Sequence, residues 1–86
     1  MLRVYYNFLE GEYYLITLKC KNNINGCRLN VRDSSSTVTH TVIIPVNEEI
    51  QEISLGFTAT TEVMFYVWSY NSDEFVFVDD ISLTIQ

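Results

Sequence analysis

Apolar and polar residues alternate along most of this chain, and that spacing limits its possible folds more than any other feature. A β-strand turns successive side chains to opposite faces, so alternation makes one face greasy and the other wet. Tyr13 to Lys21 (YYLITLKCK) is the clearest case. Tyr14, Ile16, Leu18 and Cys20 share one side, while Thr17, Lys19 and Lys21 share the other. Cys27 to Asp33 repeats the pattern with Cys27, Leu29 and Val31 inward. Further strands are expected over Leu2 to Phe8, Val38 to Val46, Ile50 to Thr58, Glu62 to Tyr70 and Glu74 to Ile85. NNING, Asn22 to Gly26, reads as a hairpin loop because its residues tolerate positive φ. DSSST, Asp33 to Thr37, reads as an exposed bend, and Pro45 marks a strand end or a sheet edge. About seven short strands with no helical period predict an all-β antiparallel sandwich, jelly-roll-like, as a single domain over residues 1–86.

The stretch VMFYVWSY, Val63 to Tyr70, has two greasy faces where a strand needs only one. Val63, Phe65 and Val67 fall on one side, and Met64, Tyr66, Trp68 and Tyr70 on the other. Three uses fit the second face. Aromatic rings stack on the apolar faces of sugars, Met and aromatics fill the cores of interfaces, and a central strand can be covered on both sides. Internal packing suits Met64 and Tyr66 best, whereas Trp68 and Tyr70 lie nearer a polar NSDE loop and suit an exposed role. Tyr5 and Tyr13 are expected to offer further rings away from the core.

Charge narrows the partners. Eleven acids against five bases leave a net charge of −6. The bases (Arg3, Lys19, Lys21, Arg28, Arg32) are scattered along the sequence, so neither nucleic acid nor an anionic membrane surface is an expected partner. The chain has no run of about 18 apolar residues and no basic-then-apolar leader, so neither membrane insertion nor a signal peptide is read. Cys20 and Cys27 both sit at inward strand positions. Two small buried hydrophobes is the preferred reading; a cross-strand disulfide is the alternative, and a metal pair would need further ligands. His40, the single histidine, is expected to be a solvated strand residue, and Glu48, Glu49 and Glu52 an acidic rim. No catalytic constellation emerges, so an enzyme is not expected.

Asp79 and Asp80 interrupt the last strand. Counting by twos, Phe75, Phe77, Asp79, Ile81, Leu83 and Ile85 share a face, which would send Asp79 into the core unless a bulge intervenes. A buried carboxylate needs partners, and neighbouring backbone N–H groups or a hydroxyl are the preferred ones.

The segments EGEYYLITLKCK, CRLNVRD, NEEIQEISLGFTATTEVMFYVWSY and EFVFVDDISLTI occur in an order that resembles the jelly-roll carbohydrate-binding modules attached to xylanases and related glycoside hydrolases. Similar sandwiches form tip domains of phage tail fibres and adhesins. The resemblance covers about residues 10–86. It implies a non-catalytic carbohydrate- or receptor-binding module whose partner is a glycan or cell-surface polysaccharide. The ligand-binding candidates are Trp68, Tyr70, Tyr66, Tyr13 and Tyr5. It implies no cofactor beyond a structural Ca²⁺, for which Asp79 and Asp80 are the candidates. The N-terminal strands of the family have no counterpart here, so a homo-oligomer, a trimer by preference, is expected to complete the sheet. A virion-associated or extracellular location follows, and a purely structural trimerisation module is the alternative.

Overall fold

The computed structural model describes residues 3–23, 25–69 and 76–86, with backbone alone for 76–79. Seven strands follow one another: β1 (Arg3–Tyr5), β2 (Tyr13–Asn22), β3 (Arg28–Asp33), β4 (Val38–Ile43), β5 (Asn47–Thr58), β6 (Glu62–Trp68) and β7 (Val76–Ile85). All pairings are antiparallel. They form a four-stranded sheet in the order β1-β6-β3-β4 and a three-stranded sheet in the order β5-β2-β7. The described residues contain no helix.

The alternation in the sequence explains how the sheets stack. Tyr14, Ile16, Leu18 and Cys20 of β2 are wholly buried, with Ile53 and Phe57 of the neighbouring β5. Across from them lie Leu29 and Val31 of β3 and Phe65 and Val67 of β6, in the same apolar cluster. Each such side chain contributes roughly 1.5–3 kcal/mol when removed from water. One end of the core is aromatic. Phe8 meets Tyr14 edge-on at 4.9 Å and Phe57 at 5.2 Å. The Tyr14 hydroxyl, deep in this cluster, accepts a hydrogen bond from the Leu9 backbone N–H at 2.8 Å.

The pairing is that of one long hairpin folded over on itself. β3 pairs with β4, β2 with β5, and β1 with β6, each pair enclosing the one before it. This nesting is the jelly-roll pattern. β7 is the strand left over. It pairs with β2 along one side, and its other edge has no strand among the described residues.

Several expectations change in the folded chain. The Asn22–Gly26 segment is not a hairpin loop, because β2 and β3 belong to different sheets. It crosses the sandwich, and buried Asn22 fastens it by donating Nδ2 hydrogen bonds to the carbonyls of Ile44 (3.1 Å) and Pro45 (3.5 Å). Among the described residues the first strand ends at Tyr5, short of the expected Phe8, and the rings of Tyr6 and Phe8 join the aromatic cluster. The strand expected to reach Val46 stops at Ile43, where Ile44 turns inward to 1% exposure ahead of Pro45.

A bulge interrupts β7. Thr17 pairs with Ser82 and Lys19 with Asp79, so one residue of β2 faces two of β7, Asp80 and Ile81. Asp80 takes a left-handed φ of 50° there, a conformation that aspartate accepts more readily than most residues. The extra residue inverts the alternation. Leu83 is in register with core-facing Ile16, and beyond the bulge it is Val78 that is in register with Cys20. Position 79 falls in register with exposed Lys19. Straight counting by twos would have put it on the core face.

Candidate functional site

The second greasy face of β6 is the outer face of the four-stranded sheet. Met64, Tyr66 and Trp68 alternate with core-facing Phe65 and Val67. Antiparallel partners share a face, so the register identifies their neighbours. Arg3 of β1 and Asn30 of β3 flank Tyr66. Tyr5 and Arg32 flank Met64, and Arg28 lies beside Trp68. A groove of about 310 Å³ runs here, lined by Arg3, Arg32, Ser36, Met64, Tyr66 and Trp68. Tyr66 and Trp68 are half-buried, and alternate residues of one strand lie about 6.6 Å apart.

Met64 is buried to 2% exposure although it points away from the core. Arg32 covers it, its Nε lying 2.8 Å from the Met64 sulfur. The same guanidinium donates through Nη1 to the Ser36 hydroxyl at 3.0 Å and to the Asp33 carbonyl at 3.3 Å. The β3–β4 turn that carries Ser36 is built by Asp33. Its Oδ1 accepts the Ser35 and Thr37 N–H groups at 2.9 and 3.0 Å, while Ser36 adopts a φ of 67°. The DSSST bend thus holds one end of the groove and fixes the direction of Arg32.

The fold gathers what the sequence scatters. All three arginines share this face: Arg28 and Arg32 from β3, and Arg3 from the distant β1. The strand positions in register with Met64, Tyr66 and Trp68 carry no carboxylate, and among the described residues none of the three arginines forms an ion pair. A cationic, aromatic strip therefore lies on a protein of net charge −6.

The expected ring residues separate. Trp68 and Tyr66 line the groove, and Tyr5, 67% exposed, stands at its rim in register with Met64. Tyr13 cannot join them. It sits on the outer face of the other sheet, in register with Thr58, and its ring lies over Gly56, where any Cβ would meet the hydroxyl end of the ring. Tyr70 lies outside the described residues, as does the side chain of Asp79. Asp80 is exposed at the bulge, with its Oδ2 3.7 Å from Lys19 Nζ. A pair this exposed contributes about 0–1 kcal/mol. Among the described residues no three His, Cys, Asp or Glu side chains are grouped to hold a metal.

Elsewhere the titratable groups support the structure. Cys20 and Cys27 are free, buried thiols, and burial pushes both above the ordinary 9.0. Glu62, 4% exposed, opens β6. Burial alone raises its carboxyl, but hydrogen bonds outweigh it and hold the pKa below the ordinary 4.5. The donors are the Thr60 N–H at 2.6 Å, its own N–H, and the hydroxyls of Thr39 and Thr60. His40 is not the freely solvated side chain expected. It stacks at 5.0 Å against Phe57 and lies 3.9 Å from Glu62.

The arginine strip is the feature that sequence reasoning missed. Its signal was available in β3 as Arg28 and Arg32, four residues apart and on one face of a strand whose other face is the core.

No family model matches the chain, and neither a curated protein nor a solved structure matches it.

Proposed function

We propose that this chain is a non-catalytic binding module that takes a saccharide in the groove of its four-stranded sheet. The observation that carries the reading is the pair of half-buried rings, Tyr66 and Trp68, on the floor of an open depression of about 310 Å³. Rings held by a strand are rigid and present flat apolar surface beside polar tips, which suits pyranose rings. Hydrogen-bonding groups converge there, with Ser36 at one end and arginine guanidinium groups along both sides. The jelly-roll order of strands is compatible with the resemblance to carbohydrate-binding modules and fibre-tip domains, and presentation on a fibre tip or adhesin is part of the proposal. The test is a glycan array followed by calorimetry with the wild type and Trp68→Ala. Binding by the wild type that falls at least tenfold in the variant is expected. Equal binding by both would remove Trp68 from the site, and no binding by the wild type would end the reading.

A second reading, self-association as a structural module, is favoured by β7. That strand has an open edge among the described residues, and Ile81 and Ile85 along it are 40% and 52% exposed. Such edges recruit further strands, and a second copy of the chain would supply one. Light scattering at micromolar concentration would then read two or more copies. A monomer would dispose of this reading without affecting the first.

A further inference from the structure

We infer that the saccharide taken by this groove is acidic, carrying carboxylate or sulfate groups that the arginines recognise; the inference rests on the saccharide-binding reading. Neutral sugars need rings and hydrogen-bonding groups of either sign. This groove adds to its Ser36 and Tyr66 hydroxyls donors that cannot accept: guanidinium groups from two different strands, on opposite sides of Tyr66 and Met64. A planar guanidinium matches the two oxygens of a carboxylate or sulfate, so the residue type is suited to an anionic substituent. Arg32 is already aimed, with Nε on the Met64 sulfur and Nη1 on Ser36. Those bonds hold the guanidinium at the groove wall before any ligand arrives, which lowers the ordering cost of binding. The Arg3 guanidinium makes no hydrogen bond or ion pair with any described residue, so none of these residues competes with a ligand for its donors. Arg28, the neighbour of Trp68 in register, extends the positive strip along the row of rings.

The surroundings make the sign informative. A protein with eleven acids and five bases has many carboxylates to offer its arginines. At the strand positions in register with Met64, Tyr66 and Trp68 it places none, and the three arginines form no ion pair with any described residue. The net charge of −6 opposes the approach of a long nucleic acid, whose binding depends on a broad cationic surface. A depression of about 310 Å³ has room for one or two sugar rings, each with an acidic substituent reaching a wall.

The test uses the single tryptophan as reporter. Binding is first surveyed on an array of neutral, uronate-containing, sialylated and sulfated oligosaccharides. The best acidic binder, its neutral counterpart of the same length and an oligo-dT are then titrated against Trp68 fluorescence at 50 and 500 mM NaCl. Signals confined to acidic saccharides are expected, with affinity falling about tenfold between the two salt concentrations. The uronate and sulfate arms tell which acid is preferred. Arg3→Gln and Arg32→Gln should each weaken the acidic ligand several-fold, with Arg32→Lys recovering only part of the loss. The salt dependence of the unaltered protein keeps the test valid should Arg32→Gln fold poorly. Equal affinity for acidic and neutral sugars, insensitive to salt, would overturn this inference and leave saccharide binding standing. Binding to oligo-dT above every saccharide, or to no saccharide at all, would overturn both.

Discussion

At the scale of single residues, Glu62 shows how a buried charge is tolerated in a small sandwich. It sits at 4% exposure, where an unpartnered carboxylate would be costly, but four donors converge on it. The net effect lowers its pKa, so the folded state binds the proton more weakly than the unfolded chain does. Its contribution is therefore fully present above the ordinary value of 4.5 and is lost as pH falls through the folded value. Glu62→Gln should cost about 1–3 kcal/mol at pH 7, because an amide nitrogen cannot accept from the Thr60 or Thr39 hydroxyl. Urea titrations between pH 3 and 7, about the range over which a carboxylate titrates, should show a shallower acid dependence in the variant. An unchanged slope would mean that Glu62 is not the group titrating. The cysteines carry the opposite sign. Burial raises both thiols, so each holds its proton more tightly in the folded chain and the associated stability falls as pH climbs above about 9. A thiol reagent at pH 8 should modify Cys20 and Cys27 at least a hundredfold faster in denaturant than in the native protein. Comparable rates would contradict their burial.

At the scale of the element, β7 and β6 show what alternation can and cannot specify. Core faces follow directly from it. The inward residues expected for β2 and β3 (Tyr14, Ile16, Leu18, Cys20, Cys27, Leu29 and Val31) are all wholly buried. A bulge is invisible to a period-two count, because one extra residue reverses every later assignment. Straight counting therefore sends Asp79 inward, whereas the bulge at Asp80 puts that position opposite Lys19. The left-handed φ at Asp80 makes a sharp prediction: Asp80→Gly should be neutral or stabilising, whereas Asp80→Val should cost about 1–2 kcal/mol. Equal melting temperatures for the two variants would argue against the bulge. The candidate site was half legible for the same reason. The two greasy faces of VMFYVWSY announced an unusual outer surface, but alternation assigns a side chain to a face and not a strand to a sheet. Hence Tyr13 looked like a companion of Trp68 and proved to belong to the opposite sheet. Likewise NNING, dense in turn-forming residues, was compatible with a hairpin and with a crossover, and only the partnering of whole strands distinguishes them.

At the scale of the whole molecule, the nested hairpins explain both the binding face and the open edge. Folding β1·β6 around β2·β5 and β3·β4 places β6 at the interior of a four-stranded sheet, where its outer side chains become the floor of a shallow groove. The same topology brings β1 and β3 to either side of β6, and with them Arg3 and Arg32. A net charge of −6 thus becomes an uneven field over the surface, negative overall and positive around the rings. The central claim is that the partly exposed ring of Trp68 lies within that positive strip. Quenching of its fluorescence by iodide and by caesium at matched ionic strength tests this directly, since the chain contains one tryptophan. Iodide should quench more strongly than caesium despite the net charge of −6. Quenching by neither ion, or stronger quenching by caesium, would contradict the account.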